Sequence, residues 1–234
     1  MRGLRQGPDH TPVLYLAGPY EFLPPAGPGP EHTPALARAL AAAHKALAPD
    51  LLALAGTEAA WLAAAGAQTP AQAPGSAPRA LVLPVPGGEV GVILLPVLPS
   101  GALTPPDDTV RLVADLARGL AARTRLVVAL SPWGDLAEDH FLRTAGPVVD
   151  ILLGSGPGPG VAGRFSDDGK TFLARSYGQG KALHVIRIAA WPARTPGWRW
   201  VRDENLRLDF LNLSDAFPAD PAVEALLGGL DLSR

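Results

Sequence analysis

Between residues 12 and 153, short aliphatic runs alternate with stretches whose apolar positions recur at helical spacing. PVLYLA (12–17) predicts a first buried strand. In HTPALARALAAAHKALAP, Thr33 is placed to cap and Pro34 fits the first helical position, while Leu36, Leu40, Ala43 and Leu47 line one face of the helix. DLLAL (50–54) predicts a strand, and TEAAWLAAAG a helix stopped by Gly66. ALVLPVPGGEVGVILLPV reads as two strands joined at Pro86-Gly87-Gly88, a hairpin by its turn residues. PPDDTVRLVADLARGLAAR opens on capping aspartates and carries Val110, Val113, Ala117 and Leu120 on one side, a helix leading into the strand RLVVAL (125–130). DLAEDHFLRTAG is a shorter helix before the strand VVDILL (148–153). This alternation predicts crossover units in a largely parallel sheet. Beyond Gly160 the pattern turns to hairpins: VAGRF, TFLARS, KALHVIRIAA, GWRWVR and LRLDFLNLS are expected strands, and DPAVEALLGGL a closing helix capped by Asp220 with Pro221 at its first position.

A chain of 234 residues can bury a sizeable core, and one α/β domain over 1–234 is expected. Gly and Pro, 26 of each, cluster at 24–34, 66–79 and 154–163, and predict loops, the first two mobile. No uninterrupted apolar run approaches the roughly 18–20 residues of a membrane span, and a net charge of −2 gives no electrostatic case for nucleic acid or anionic lipid. The opening MRGLRQGPDH lacks the apolar stretch of a secretory signal, so the chain reads as cytoplasmic, with a periplasmic form whose leader was removed as the alternative. The absence of cysteine excludes disulfides, thiolate zinc sites and cysteine nucleophiles.

Familiar motifs fail one by one. GRFSDDGKT ends like a phosphate-binding loop, but its spacing is one residue too long and no helix follows, so it predicts a hairpin turn on Asp168-Gly169. The glycines of ILLGSGPGPG, at 154, 156, 158 and 160, are interrupted by prolines and lack dinucleotide spacing. The histidines at 10, 32, 44, 140 and 184 form no metal-ligand pair. His184 falls on the strand face of Ile186 and Ile188, as a core or interface histidine does. His140, next to Glu138 and Asp139, is the best single acid/base candidate, set against a solvated helix face. Ser131 precedes a proline and Ser155 lies inside Gly-Ser-Gly, so neither makes a nucleophile elbow. Trp191, Trp198 and Trp200 suggest either an aromatic binding face or a late hairpin packed on the core.

The order of these segments resembles the N-terminal domain of 5'-nucleotidase-type proteins of the calcineurin-like metallophosphoesterase superfamily. VLYLAGPYEFLPP resembles that family's first strand and loop, with Gly18 and Tyr20 at the two positions of its D-x-H pair. ALARALAAAHKAL resembles the following helix. DLLALAGTEAAW matches the segment ending in G-N-H-E through Ala55, Gly56, Thr57 and Glu58. ALVLPVPGGEVGVILLPV is similar to the hairpin around G-x-x-V-G-V-I-G. LVVALSPWGDLAED is similar to the A-L-S-H-x-G strand and loop, with Pro132 at the histidine. VVDILLGSGPG is similar to D-x-I-L-G-G-H-x-H, with Gly156 and Gly158 at both histidines. FLARSYGQGKALHVIRI and LNLSDAFPADPAVEALL resemble the closing strands and the end of the domain, so the likeness runs from about 12 to 228. Pro25 and Gly27 stand where relatives often carry cysteines, and too little chain lies before DLLAL for the family's metal-bridging G-D segment.

The resemblance implies a layered α/β/β/α sandwich. It also implies a dinuclear site lost at Gly18, Tyr20, Gly56, Thr57, Pro132, Gly156 and Gly158, because glycine, proline and threonine cannot replace imidazole and carboxylate ligands. The expected protein has no cofactor and no catalytic residues, and binds a small anion or a protein partner in a residual cleft near Glu21, Glu58, Ser131, Ser155 and His140. One alternative is a hydrolase using manganese or another divalent metal, rebuilt from Glu21, Glu58, Asp135, Glu138, Asp139 and His140. Another is a scaffold subunit docking through its Trp-rich late strands.

Overall fold

The computed structural model describes residues 11–72, 75–176, 182–214, 216–228 and 230. His10 with the opening segment, the middle of the 66–79 loop, and the 177–181 link within the resemblance lie outside the described residues. The chain forms two compact units, one from within 1–73 and 215–234, the other from within 74–214.

In the first unit, β1 (Leu16–Ala17) pairs in parallel with β2 (Leu51–Leu52), and Ala53 bridges Gln72. The first strand is shorter than its apolar run because Tyr15 N–H bonds the Asp50 carboxylate instead of a ladder carbonyl. Helix α1 (Pro34–Leu47) starts as its sequence dictates, the Thr33 hydroxyl accepting the Leu36 N–H at 3.2 Å. Its deepest residues are Ala37 and Ala41, while the leucines of the expected face are half-buried. Helix α1 packs on α2 (Gly56–Ala64) and α5 (Pro221–Leu227). Asp220 caps α5 by accepting the Ala222 N–H. Ala17, Phe22, Leu23, Leu52, Leu54 and Leu62 complete this core. The 24–34 loop is tied by Gly27 N–H to Pro24 O and by Gly29 N–H to His32 Nδ1.

The second unit holds a six-stranded sheet in the order β3-β4-β5-β6-β8-β7. Its members are β3 (Arg79–Val85), β4 (Gly88–Leu94), β5 (Leu126–Ser131), β6 (Ile151–Gly154), β7 (Val161–Phe165) and β8 (Phe172–Arg175). Strands β4, β5, β6 and β8 are parallel, and β3 and β7 flank them antiparallel. The expected hairpins form at Pro86-Gly87 and at Asp168-Gly169, where Gly169 has φ 70° and its N–H meets Ser166 O. Helix α3 (Asp107–Ala121) buries Val110, Val113, Ala117 and Leu120 on the sheet. Its N-cap is Pro106, and the aspartates expected to cap it instead occupy the first turn, where their charge favours the helix dipole. Helix α4 (Asp135–Ala145) adds Ala137 and Phe141 to the same core. Strands β9 (Ala182–Ile188) and β10 (Leu206–Asn212) form a separate antiparallel pair.

GWRWVR does not form the expected strand; apart from a bridge between Arg202 and Leu206 it is irregular. Its polar groups have partners that a ladder would not offer: Trp200 Nε1 donates to Asp150 O at 3.0 Å, and Val201 N–H to Asn205 Oδ1 at 2.8 Å. Asp150 is a hub. Its buried carboxylate accepts Val127 N–H at 2.7 Å and both Nη groups of Arg194 at 2.6 and 2.9 Å.

Candidate functional site

The expected positions fall into two groups, one in each unit. In the first, Glu58 sits in the opening turn of α2 with no exposed surface, and four backbone N–H groups converge on its carboxylate. Tyr20 and Ala55 donate to Oε2 at 2.8 and 2.7 Å, Phe22 and Leu23 to Oε1 at 2.7 and 3.3 Å. The Ala55 bond caps the helix, which an alanine at that position cannot do with its own side chain. The other three fold the 20–23 loop around the acid, with Tyr20 in the left-handed region at φ 70°. Burial pushes the Glu58 carboxyl above its ordinary value while the amides pull it back. Glu21, between two of these donors, is exposed as a residue, yet its carboxyl is crowded by the protein and then by the Glu58 charge, and is pushed up to about 7 against a bond from Gly18. The Tyr20 hydroxyl is raised by the same two causes in the same order. Gly56 and Thr57 are exposed beside them and bring no further ligand.

In the second unit, the Gly/Pro loop after β6 is fastened from below. The Arg175 guanidinium, 2 % exposed at the end of β8, donates from Nε to Pro159 O at 3.2 Å. Its Nη2 donates to Gly156 O and Pro157 O at 2.6 and 2.9 Å, and its Nη1 to Glu138 Oε2. Glu138, fully buried on α4, has its carboxyl raised by desolvation, with Arg175 opposing. Its other oxygen lies towards the Ser131 hydroxyl without a well-formed hydrogen bond. The loop also lies against the 131–134 turn: Ser155 donates twice to Ser131 O, both at 2.9 Å, and Asp135 N–H donates to Pro157 O at 3.1 Å. A Cβ on Gly156 would run into the Pro132 carbonyl oxygen, and one on Gly158 (φ 125°) would lie 2.7 Å from Asp135 Cγ. These glycines are close-approach positions.

Pro132, Gly156 and Gly158 are thus brought together, as are Tyr20 and Glu58 in the other unit. Ser131 has no exposed surface, and its Oγ accepts Trp133 N–H at 3.2 Å. Both acidic neighbours of His140 are engaged by arginines, Glu138 by Arg175 and Asp139 by Arg164. Trp200 is buried with Trp198 edge-on against it, so the tryptophan cluster packs largely on its own unit, and only Trp191 is exposed. His184 stacks edge-on with Phe210, its pKa lowered by burial. Sequence reasoning missed Arg175; the available signal was a charged residue closing the apolar strand FLAR. Among the described residues no group of three or more His, Asp or Glu is placed to hold a metal ion. Two surface depressions, about 420 Å³ beside Leu47, Val223 and Leu227 and about 370 Å³ beside Gly88, Arg123 and Arg125, do not include these loops.

The chain is a mixed α/β protein with a multi-stranded mixed sheet. Among the described residues no helix is long and apolar enough to cross a membrane. No protein-family model matches the chain, and no curated protein does. Among solved structures it is similar to a hypothetical protein from Thermus thermophilus, at 16% identity and a TM-score of 0.39, over 56% of this chain and 54% of that one. The match thus spans about half of that protein's length.

Proposed function

We propose that this chain is a non-catalytic protein with the layered α/β/β/α architecture of 5'-nucleotidase-type metallophosphoesterases, and that it acts by binding a protein partner. The observation that carries the reading is the filling of the 154–160 loop by the chain's own atoms. Arg175 and Glu138 lie beneath it, and Pro132 closes on Gly156. At the positions where the resemblance calls for metal ligands, the loop offers a packed backbone. A small anion fits less well than a protein. The amides of Tyr20, Phe22 and Leu23 are taken by Glu58, and in the other unit Ser155 N–H is taken by Ser131 O and Asp135 N–H by Pro157 O, so the donors nearest the two buried acids are already engaged within the chain.

The test is elemental analysis of the purified protein, run beside phosphodiester and 5'-nucleotide hydrolysis with added manganese. Substoichiometric metal and no chelator-sensitive turnover are expected. Stoichiometric metal with turnover abolished by a chelator would overturn the proposal in favour of a rebuilt site drawing on Glu21, Glu58, Asp135, Glu138, Asp139 or His140.

A further inference from the structure

The ring of oxygens beneath the 154–159 loop has the chemistry of a cation site. Three main-chain carbonyls, from Gly156, Pro157 and Pro159, and one carboxylate oxygen of Glu138 point at a single group, the guanidinium of Arg175, which is 2% exposed. A hard metal ion takes about six to eight oxygens in a shell. Here there are four, spread around a flat group and met one N–H at a time, which is the pattern a guanidinium satisfies with its five donors in a fixed fork. The single carboxylate balances the single positive charge. The cage joins three parts of the unit: Glu138 on α4 supplies one oxygen, the loop after β6 supplies the three carbonyls, and the end of β8 supplies the cation.

We infer that the 154–159 loop and Glu138 form a guanidinium-binding cage in which Arg175 is the resident cation, and that the cage, relieved of this side chain, takes a free alkylguanidinium ion. The loop conformation is then conditional on a cation of that shape. This inference stands on the cage geometry, an observation it shares with the proposed function, and needs nothing from that function itself.

The experiment is chemical rescue in the full-length chain. Arg175→Ala is expected to lower the melting temperature by on the order of 10 °C, since it leaves the buried Glu138 carboxylate without its cation and the Gly156 and Pro159 carbonyls without their donor. Millimolar methylguanidinium chloride, far below denaturing levels, should restore part of that loss, with no rise in the wild type. Equimolar sodium chloride or tetramethylammonium chloride should not. An unchanged melting temperature in the variant, or equal rescue by sodium chloride, overturns the inference.

A second measurement needs no variant to fold. In the wild type, the Nη protons of Arg175 should give separate signals that exchange with solvent about tenfold or more slowly than those of exposed Arg111. A single averaged, fast-exchanging signal for Arg175 would overturn the cage outright.

Discussion

Glu58→Gln keeps the volume of the side chain and changes one acceptor oxygen into a donor. Whichever way the new amide turns, its NH2 faces two backbone N–H groups, either Tyr20 and Ala55 or Phe22 and Leu23. Two buried donors are left without an acceptor, at about 1–3 kcal/mol each. Against this, the variant no longer buries a charge, a relief whose existence is visible in the upward push that burial exerts on the Glu58 carboxyl. The net expectation is a loss of about 2–4 kcal/mol in local stability, or roughly a 30- to 1000-fold rise in the opening of the 20–23 loop. Amide hydrogen exchange at Tyr20, Phe22, Leu23 and Ala55 reads this directly, with the buried strand β5 of the other unit as an internal control. If exchange at Phe22 and Leu23 stays within about threefold of wild type while the control is steady, the carboxylate does not hold the loop and the reasoning fails.

Gly156→Ala should destabilise the second unit by about 2–4 kcal/mol and lower its thermal midpoint by about 5–15 °C, because the new methyl meets the Pro132 carbonyl oxygen; an unchanged midpoint by circular dichroism would refute the close approach. Glu21, raised from 4.5 to about 7, keeps in the folded state a proton that the unfolded chain releases. Its stabilising contribution is therefore complete below pH 4.5 and lost as pH rises through about 7, with a size limited by its exposure. The Glu21 carboxyl carbon should titrate near pH 7 by NMR, and a midpoint in the ordinary glutamate range would contradict the assignment.

Local signals carried most of the elements. Thr33 and Pro34 start α1 as their chemistry requires, the Val110–Leu120 stripe lies on the sheet, and Pro86-Gly87 turns the first hairpin. What sequence reasoning misread depended on distant partners. GWRWVR alternates like a strand, but the hydrogen bond that settles Trp200 goes to Asp150, 50 residues away. Glu58 was visible as one end of a motif-like segment, while three of its four donors lie 35 to 38 residues earlier. Arg175 meets Glu138 across 37 residues, and nothing local in FLAR says that its arginine turns inward. The glycines at 156 and 158 were legible as lacking ligands; that a neighbouring backbone occupies their Cβ positions was not, since it depends on how the 131–134 turn lies against the loop.

That contact also governs how the loop can change in descent. Any substitution at residue 156 introduces a Cβ before it introduces a functional group, and that first atom lands on the Pro132 carbonyl oxygen. No imidazole, carboxylate or hydroxyl can be acquired at this position by one codon change without moving the main chain. The 131–134 turn or the loop itself would first have to shift. A lineage carrying this loop must pass through steps that offer no chemistry of their own before residue 156 can gain any.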